Sequence, residues 1–181
     1  MVAALAILSL SSAASTQTVI PLRRDRSDDA LVIPTDSPVK FRRWKQYGMA
    51  DFDGRFVLTG TFVYGCAIDC EERKENDRFY RMDFTPDPDI ARRLPRWRIH
   101  DQVPAIVITN APAFIHAVVS PKVYAGLHSG KISDVRGRAS ILVDHFEAGI
   151  ECDSAELSAH YVRIVAAPKL SMTPDGNPGC G

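Results

Sequence analysis

Histidine side chains are the first candidates for chemistry in this chain, because imidazole transfers protons and binds metals near neutral pH. The chain has five histidines. His145 and Glu147 lie two residues apart in a segment of alternating polarity, so a strand there would place both on one face as an acid–base or metal-binding pair. Asp144 would point to the opposite face, and His116 falls in another predicted strand. His145, Glu147 and His116 are therefore the catalytic candidates, although the sequence favours the alternative that these histidines are structural.

Sequence motifs of the common catalytic classes are missing. The chain has no GxSxG, HExxH, GxxxxGK[ST] or GxGxxG sequence, which are the signatures of α/β-hydrolases, zinc proteases, P-loop proteins and dinucleotide-binding enzymes. Asp51 and Asp53 beside Gly54 can contact calcium, but no EF-hand loop follows, so a turn is the better interpretation. We therefore predict no cofactor and no metal site, and the sequence leans toward a protein that is not an enzyme.

Two segments that interleave basic and aromatic side chains, residues 40–45 and 92–98, form the candidate binding surface. Arginine beside tryptophan can hold phosphates, anionic sugars or an acidic protein face. The candidate binding residues are Arg92, Arg93, Arg96, Trp97, Arg98, Arg42, Arg43 and Trp44. The alternative is a pair of solvated loops whose tryptophans pack back onto the domain.

The overall charge is zero, with 22 Lys and Arg against 22 Asp and Glu, so no net field draws the chain to nucleic acid or an anionic membrane. The charges are nevertheless segregated. Residues 40–45 and 91–98 carry eight basic side chains and no acid, whereas residues 139–162 carry five acids and no Lys or Arg. These segments neutralise each other if they meet in the fold, and leave a basic face if they lie apart.

The first fifteen residues have the pattern of a secretory signal peptide. An apolar run from Val2 to Leu10 is followed by small residues that supply a cleavage site near Ala14, although no Lys or Arg follows Met1. The run is too short to span a bilayer as a helix, and the alternative is a buried N-terminal helix or strand. We predict a periplasmic or secreted protein with no transmembrane anchor in the mature chain.

Four cysteines, Cys66, Cys70, Cys152 and Cys180, indicate disulfide bonds in an oxidising compartment. Cys66 can pair with Cys152 across distant strands or with Cys70 locally, and the sequence does not choose between these pairings. Free buried thiols and a metal site are the remaining interpretations, although Cys-x3-Cys is a poor match to zinc spacing.

Alternating polarity predicts short strands through most of the chain. Strands are predicted over residues 56–64, 78–84, 105–109, 113–119, 137–146 and from about residue 160, and short helices over 89–94 and 121–127. Gly60 indicates a bulge or bend, and residues 148–149 a hairpin turn. A capping box at Asp153 and Glu156 makes a helix the alternative before residue 160. Residues 16–45 are predicted as an extended arm or linker, 46–167 as one β-rich globular domain, and 168–181 as a Gly/Pro-rich tail.

The fold class that this pattern predicts is mainly β: a small antiparallel barrel that resembles the OB type, or a sandwich, of about six or seven short strands with one or two short helices. The predicted function is an exported, soluble, non-catalytic binding module that presents loops to an unknown protein, glycan or anionic ligand. One alternative is a cell-envelope hydrolase that uses a histidine and a carboxylate. A second, if the chain is not exported, is an oligonucleotide binder, although nucleic acid is an unlikely partner.

Overall fold

The computed structural model describes residues 17–21, 30–66, 80–98, 103–151 and 154–174. Within these ranges the protein is mainly β, which confirms the predicted fold class. The strands are β1 (Gln17–Pro21), β2 (Ala30–Pro34), β3 (Lys40–Trp44), β4 (Ala50–Asp53), β5 (Phe56–Cys66), β6 (Tyr80–Pro86), β7 (Arg96–Trp97), β8 (Ile106–Ile108), β9 (Ile132–Glu151) and β10 (Ser154–Pro174). The helices are α1 (Pro88–Ala91), α2 (Ala111–Val118) and α3 (Pro121–His128), with a 3-10 turn at Gln46–Gly48.

Five of these strands pair in a closed ring and form a small barrel. β5 pairs with β6 and β9, β6 with β8, β8 with β10, and β10 with β9, so every strand of the ring has a partner on both sides. These pairings are antiparallel except that of β8 with β10, which is parallel. Helices α2 and α3 form the connection between β8 and β9.

The remaining strands extend this framework. β4 pairs with β9 beyond the end of β5, and β3 pairs with β4. A second sheet has the order β1-β2-β7, with Leu31 of β2 opposite Trp97 of β7. The structure therefore differs from the arm predicted over residues 16–45. The apolar residues 30–33 bury a complete strand in the core, and residues 40–44 pair in the larger sheet.

The interior of the barrel is filled by alternate side chains of β5 and β6, as the period of two in the sequence predicts. The inward residues, all buried, are Phe56, Leu58, Phe62 and Tyr64 of β5 and Tyr80, Met82 and Phe84 of β6. Their rings stack in pairs, with centroid separations of 6.5 Å for Phe62 and Phe84 and 5.5 Å for Tyr64 and Tyr80. The barrel interior is thus a packed apolar core.

The strand predicted over residues 113–119 is wrong, because residues 113–118 belong to α2 and Val119 caps its end. Pro112 stands in the first turn of this helix, where its missing N–H costs no hydrogen bond. Phe114 and Ile115 are both buried. The Phe114 ring packs edge-on against the ring of Phe62, with centroids 5.0 Å apart. Two adjacent buried side chains fit the period of a helix and conflict with the alternation of a half-buried strand.

The hairpin of β9 and β10 is longer than the sequence predicts. Ala148 and Gly149 continue β9 opposite Leu157 and Glu156 of β10, so the turn predicted at residues 148–149 is wrong. β10 begins at Ser154, which excludes the helix that the Asp153 and Glu156 capping box makes the alternative before residue 160. The same strand continues into the segment predicted as a tail, as far as residue 174.

A β-bulge at His145 changes the alternation of β9. Between Asp144 and Glu147, β9 has one residue more than the facing segment of β10. His145 takes a left-handed backbone conformation with φ of 48°, and no other non-glycine residue in the described ranges has a positive φ. The extra residue turns Phe146 into the core, where its ring contacts that of Phe52 at 5.6 Å, and leaves His145 exposed.

Close packing of β5 on β6 at Gly60 gives a first prediction. A Cβ at position 60 would lie 2.1 Å from the carbonyl oxygen of Thr85 and 2.9 Å from the Cα of Pro86. We expect Gly60→Ala to lower the free energy of unfolding by about 1–3 kcal/mol, because the barrel wall must shift to accept the methyl group. Urea denaturation followed by circular dichroism measures this. The control is Thr61→Ala, at the exposed next position, which should stay within about 0.5 kcal/mol of wild type. Equal stability of the two variants would contradict the close approach.

Candidate functional site

The two basic-aromatic segments of the sequence meet in the fold. Trp44 on β3 stacks on Trp97 of β7, with ring centroids 6.0 Å apart and planes 28° from parallel. Trp97 is buried and Trp44 is half-buried, so both indoles pack onto the core and leave little ring surface for a ligand. The arrangement matches the alternative interpretation of these segments, in which the tryptophans pack back onto the domain.

Most basic side chains of these two segments are paired with acids. Arg42 and Arg43 both contact Asp51, at 3.6 and 3.3 Å, and Arg42 also lies 3.8 Å from Asp53. In the second segment Arg92 pairs with Asp89 at 3.1 Å and Arg93 pairs with Asp36 at 3.2 Å. Among the described residues, Arg96 and Arg98 have no ion-pair partner. Lys40 likewise forms no ion pair with a described residue. The candidate binding surface is therefore largely neutralised, and Lys40, Arg96 and Arg98 hold its remaining positive charge.

The basic and acidic segments of the sequence also meet at one point. Nζ of Lys45, next to the end of β3, forms an ion pair with the carboxylate of Glu147 on β9. This pairing engages Glu147 away from His145. The acid–base pair that the sequence proposed between His145 and Glu147 is thus not assembled among the described contacts.

His116 lies in α2 and not in a strand, which corrects its predicted setting. Its ring packs on that of Tyr124 of α3, with centroids 4.1 Å apart, and the Tyr124 ring packs on that of His128, with centroids 4.5 Å apart. The ring of His128 in turn contacts Tyr80 of the barrel at 4.8 Å. His116 is therefore the outer member of a row of rings that joins the helices to the barrel, which is a structural position.

A cluster of polar side chains gathers around Asp144 at the bulge of β9. Oδ2 of the Asp144 carboxylate accepts a hydrogen bond of 3.2 Å from Nε of Arg55. Its other oxygen, Oδ1, lies 3.2 Å from Nδ1 of His160. Nε2 of His145 lies 3.9 Å from the same Oδ1, and the two imidazole rings are 5.8 Å apart, edge to face. These four residues are called the Asp144 cluster below. Arg55, Asp144 and His145 border a depression that Phe52, Asp53 and Gly54 complete, and His160 lies next to it through its contact with Asp144.

Sequence reasoning missed the Asp144 cluster for a specific reason. Regular alternation places Asp144 and His145 on opposite faces of a strand, whereas the bulge turns both outward. His160 and Arg55 arrive from β10 and from the corner between β4 and β5, far away in the sequence. The adjacent polar pair Asp144-His145 was the available signal, since a regular strand would bury one of the two.

A groove with both polar and apolar lining crosses the outside of the barrel, and Arg81 and Asp83 of β6 lie at its centre. It consists of two depressions of about 280 and 420 Å3 that share these two residues, each of a size near the lower end of ligand sites. One side is completed by Cys66, Ser133 and Asp134, and the other by Pro104, Ser154 and Glu156. The lining is held in place by its own contacts, including an ion pair of 2.7 Å between Arg81 and Asp83. We call this feature the outer groove.

Asp134 is the most strongly constrained side chain of the outer groove. Burial raises the pKa of Asp134, but hydrogen bonds from Arg136, Thr173 and Ser133 and the charge of the Arg136 guanidinium outweigh this, so the net pKa is lowered. The two closest contacts are 2.6 Å from Nε of Arg136 and 3.0 Å from Oγ1 of Thr173, both to Oδ1. Asp134 thus ties β9 to the far end of β10 as a carboxylate.

Several candidates of the sequence lie partly or wholly outside the described residues. Of the four cysteines only Cys66 is described; it is half-buried at the end of β5, and the pairing of Cys66, Cys70, Cys152 and Cys180 stays a prediction. The proposed signal peptide, residues 1–15, is also outside them. Within the described ranges no group of three or more His, Cys, Asp or Glu side chains is arranged to hold a metal ion.

Comparison with protein-family models, with curated proteins and with solved structures finds no match to this chain. In the part of the chain that the structure describes, no helix has the length and apolar character needed to cross a membrane.

The Asp134 contacts give a second prediction. Because the folded-state pKa of Asp134 is lowered, its stabilisation is present above the ordinary aspartate value of 3.8 and is lost as the pH falls through the folded-state value. We expect Asp134→Asn to cost about 1–3 kcal/mol at pH 7, and the difference from wild type to shrink below about pH 4. Chemical denaturation at a series of pH values measures this. Asp89→Asn, at an exposed ion pair, should change stability by less than about 1 kcal/mol at every pH. A pH-independent cost of Asp134→Asn would contradict the lowered pKa.

Proposed function

We propose that this protein is an exported, soluble, non-catalytic binding module, and that it holds an envelope or extracellular partner in the outer groove. The observation that carries the proposal is the position of the groove on a closed barrel whose interior is filled. Because the inward side chains of β5 and β6 occupy the core, a partner must bind on the outer surface. The groove runs along that surface across β5, β6 and the start of β10.

The connectivity of the barrel supports this location. We propose an OB-type barrel, since the ring order β5-β6-β8-β10-β9 and the helices before β9 agree with that architecture. Barrels of this type commonly bind ligands on the face of their second and third strands and at the loops beside it. Here the second and third strands are β6 and β8, and Arg81 and Asp83 of β6 line both halves of the groove. This support is an analogy of architecture.

The chemistry of the groove favours a partner that is not a polyanion. Its lining residues include three carboxylates, on Asp83, Asp134 and Glu156, against the single guanidinium of Arg81. No described lining residue is aromatic, so the groove has no platform on which bases could stack. A protein surface with basic and hydrogen-bonding groups, or a neutral glycan, fits this lining. Nucleic acid, the partner of the second alternative, does not.

The groove is organised in advance for binding. Arg81 and Asp83 hold each other, and Ser133 donates its hydroxyl to Asp134 at 3.1 Å. Side chains fixed in this way lose little conformational entropy when a partner binds. The hydrolase alternative in the form that pairs His145 with Glu147 has less support, because Glu147 is held by Lys45.

A matched pair of variants tests the site. We expect Arg81→Ala with Asp83→Ala to reduce recovery of the partner from the native envelope fraction by about tenfold, which corresponds to about 1.4 kcal/mol. Quantitative mass spectrometry of affinity-captured material measures the recovery. The control, Arg92→Ala with Asp89→Ala, removes a similar exposed ion pair from the vicinity of α1 and should leave recovery within about twofold of wild type.

The same proteins distinguish the classes of partner. Purified partner, a glycan array and a fluorescent single-stranded oligonucleotide are titrated against both double variants. Equal recovery with the groove variant and the control would refute the groove as the site. Oligonucleotide binding that the groove variant abolishes would replace the proposal with the nucleic-acid alternative.

Export has its own test. We expect protein purified from the envelope fraction or the medium to begin near residue 15 and to contain at least one disulfide, because the first fifteen residues resemble a cleaved signal and the chain has four cysteines. Mass spectrometry without reductant measures both properties. An uncleaved chain in the cytoplasm with four free thiols would contradict export and leave the binding proposal to stand on the groove alone.

A further inference from the structure

We propose that the Asp144 cluster is a second binding site, which takes an oxyanion group of a ligand and binds it more tightly as the pH falls below neutral. The oxyanion would contact the guanidinium of Arg55 and the imidazoles of His145 and His160. This site is separate from the outer groove: Asp134 and Asp144 are ten residues apart on β9, so about 30 Å of strand lies between them.

Asp144 orients three cationic or cationisable groups at once. Its own side chain is only 13% exposed, whereas those of Arg55, His160 and His145 are 67%, 46% and 78% exposed. Arg55 uses Nε for Asp144, which leaves both terminal nitrogens of its guanidinium for a ligand. His160 uses Nδ1, which leaves Nε2. A nearly buried carboxylate thus contacts exposed donors in and beside one depression, an arrangement suited to an anion.

The backbone at His145 supports a role beyond packing. A φ of 48° is unfavourable for a residue with a side chain, and glycine adopts it at no steric cost. The bulge itself is explained by the burial of Phe146, but it requires no imidazole at position 145. The chain therefore carries an exposed histidine at a position where glycine would be more stable, and it places that histidine beside Asp144 and His160.

The charges around the depression explain the dependence on pH. The charged and titratable residues that line it are Asp53 from β4, Arg55 from the corner before β5, and Asp144 and His145 from β9. His160 from β10 lies beside them, 3.2 Å from Asp144, and Arg42 from β3 lies 3.8 Å from Asp53. With both imidazoles neutral, the carboxylates of Asp53 and Asp144 are balanced by the guanidiniums of Arg42 and Arg55, so the local charge does not favour an anion. Histidine is the side chain whose charge ordinarily changes between pH 5 and 8, so positive charge on the two imidazoles would make the local charge positive and attract an anion.

Sulfate is the probe for this site, because its charge stays constant over the pH range and any change in affinity reports on the protein. We expect saturable shifts of the ring resonances of His145 and His160 in nuclear magnetic resonance titrations at pH 5.5 and constant ionic strength. Binding at pH 7.5 should be about tenfold weaker, since two nearby unit charges change the interaction at an exposed site by that order. Equal affinity at both pH values, or no saturable shift at pH 5.5, would overturn the proposal.

Substitution of His145 separates binding from folding. We expect His145→Gly to weaken sulfate binding at pH 5.5 by about tenfold while the melting temperature stays the same or rises, because glycine relieves the left-handed backbone. His116→Ala removes an exposed histidine on α2 and should leave sulfate binding unchanged. Wild-type affinity in His145→Gly, or equal losses in both variants, would contradict the site.

Substitution of Asp144 tests whether the site depends on oriented donors or only on local positive charge. Asp144→Asn adds one unit of positive charge, so a site that acts through charge alone would bind sulfate more tightly. We expect weaker binding by about tenfold, because Arg55 and the histidines lose the carboxylate that orients them. The folded state of the variant is verified by its unchanged backbone resonances away from β9. Tighter binding would refute the positioning role of Asp144, and the outer-groove variants, which leave the cluster intact, should bind sulfate as wild type does.

Discussion

Closure of the barrel by one long hairpin is the constraint on which the rest of this structure depends. β9 pairs with β10 along one side and with β5 and then β4 along the other, so a single strand links every part of the larger sheet. Because β9 pairs with all these strands, its apolar side chains must face the core along its full length of 20 residues. The bulge at His145 adjusts that register, because it brings Phe146 and Ala148 into the core after Ile141 and Val143.

The barrel strands could be predicted from the sequence because their signal is local. Alternate large apolar residues in β5 and β6 specify both the strands and their inward faces. Pro112 with Phe114 and Ile115 was misread, since a short apolar run fits a strand or a helix until its partner is known. The sequence does not predict β2 as a buried strand, because its partners β1 and β7 are short and β7 is far away in the sequence. Bulge positions depend on which strand lies opposite, and periodicity within one segment does not contain that information.

The candidate sites show the same contrast between local patterns, which can be predicted from the sequence, and contacts between separate segments, which cannot. Arginine and tryptophan clusters were visible in the sequence, but their partners Asp51, Asp36 and Asp89 were not, and these acids neutralise much of the predicted surface. Both surfaces that now carry proposals combine residues from several strands. Arg81 on β6 and Asp134 on β9 lie near each other only because β5 pairs with both of these strands. His160 lies beside Asp144 only because the register of the hairpin of β9 and β10 shifts at the bulge. Among the described residues most charges thus lie in local ion pairs, with a few uncompensated positions.

The stacked tryptophans have a practical consequence. Trp44 belongs to the larger sheet and Trp97 to the smaller one, and these are the only two tryptophans in the chain. All indole fluorescence therefore originates where the two sheets join, and none originates inside the closed barrel. Emission from this protein monitors whether the small sheet is docked, whereas the far-ultraviolet dichroism of the strands monitors the barrel. Divergence of the two signals during unfolding would reveal separation of the sheets before the barrel opens.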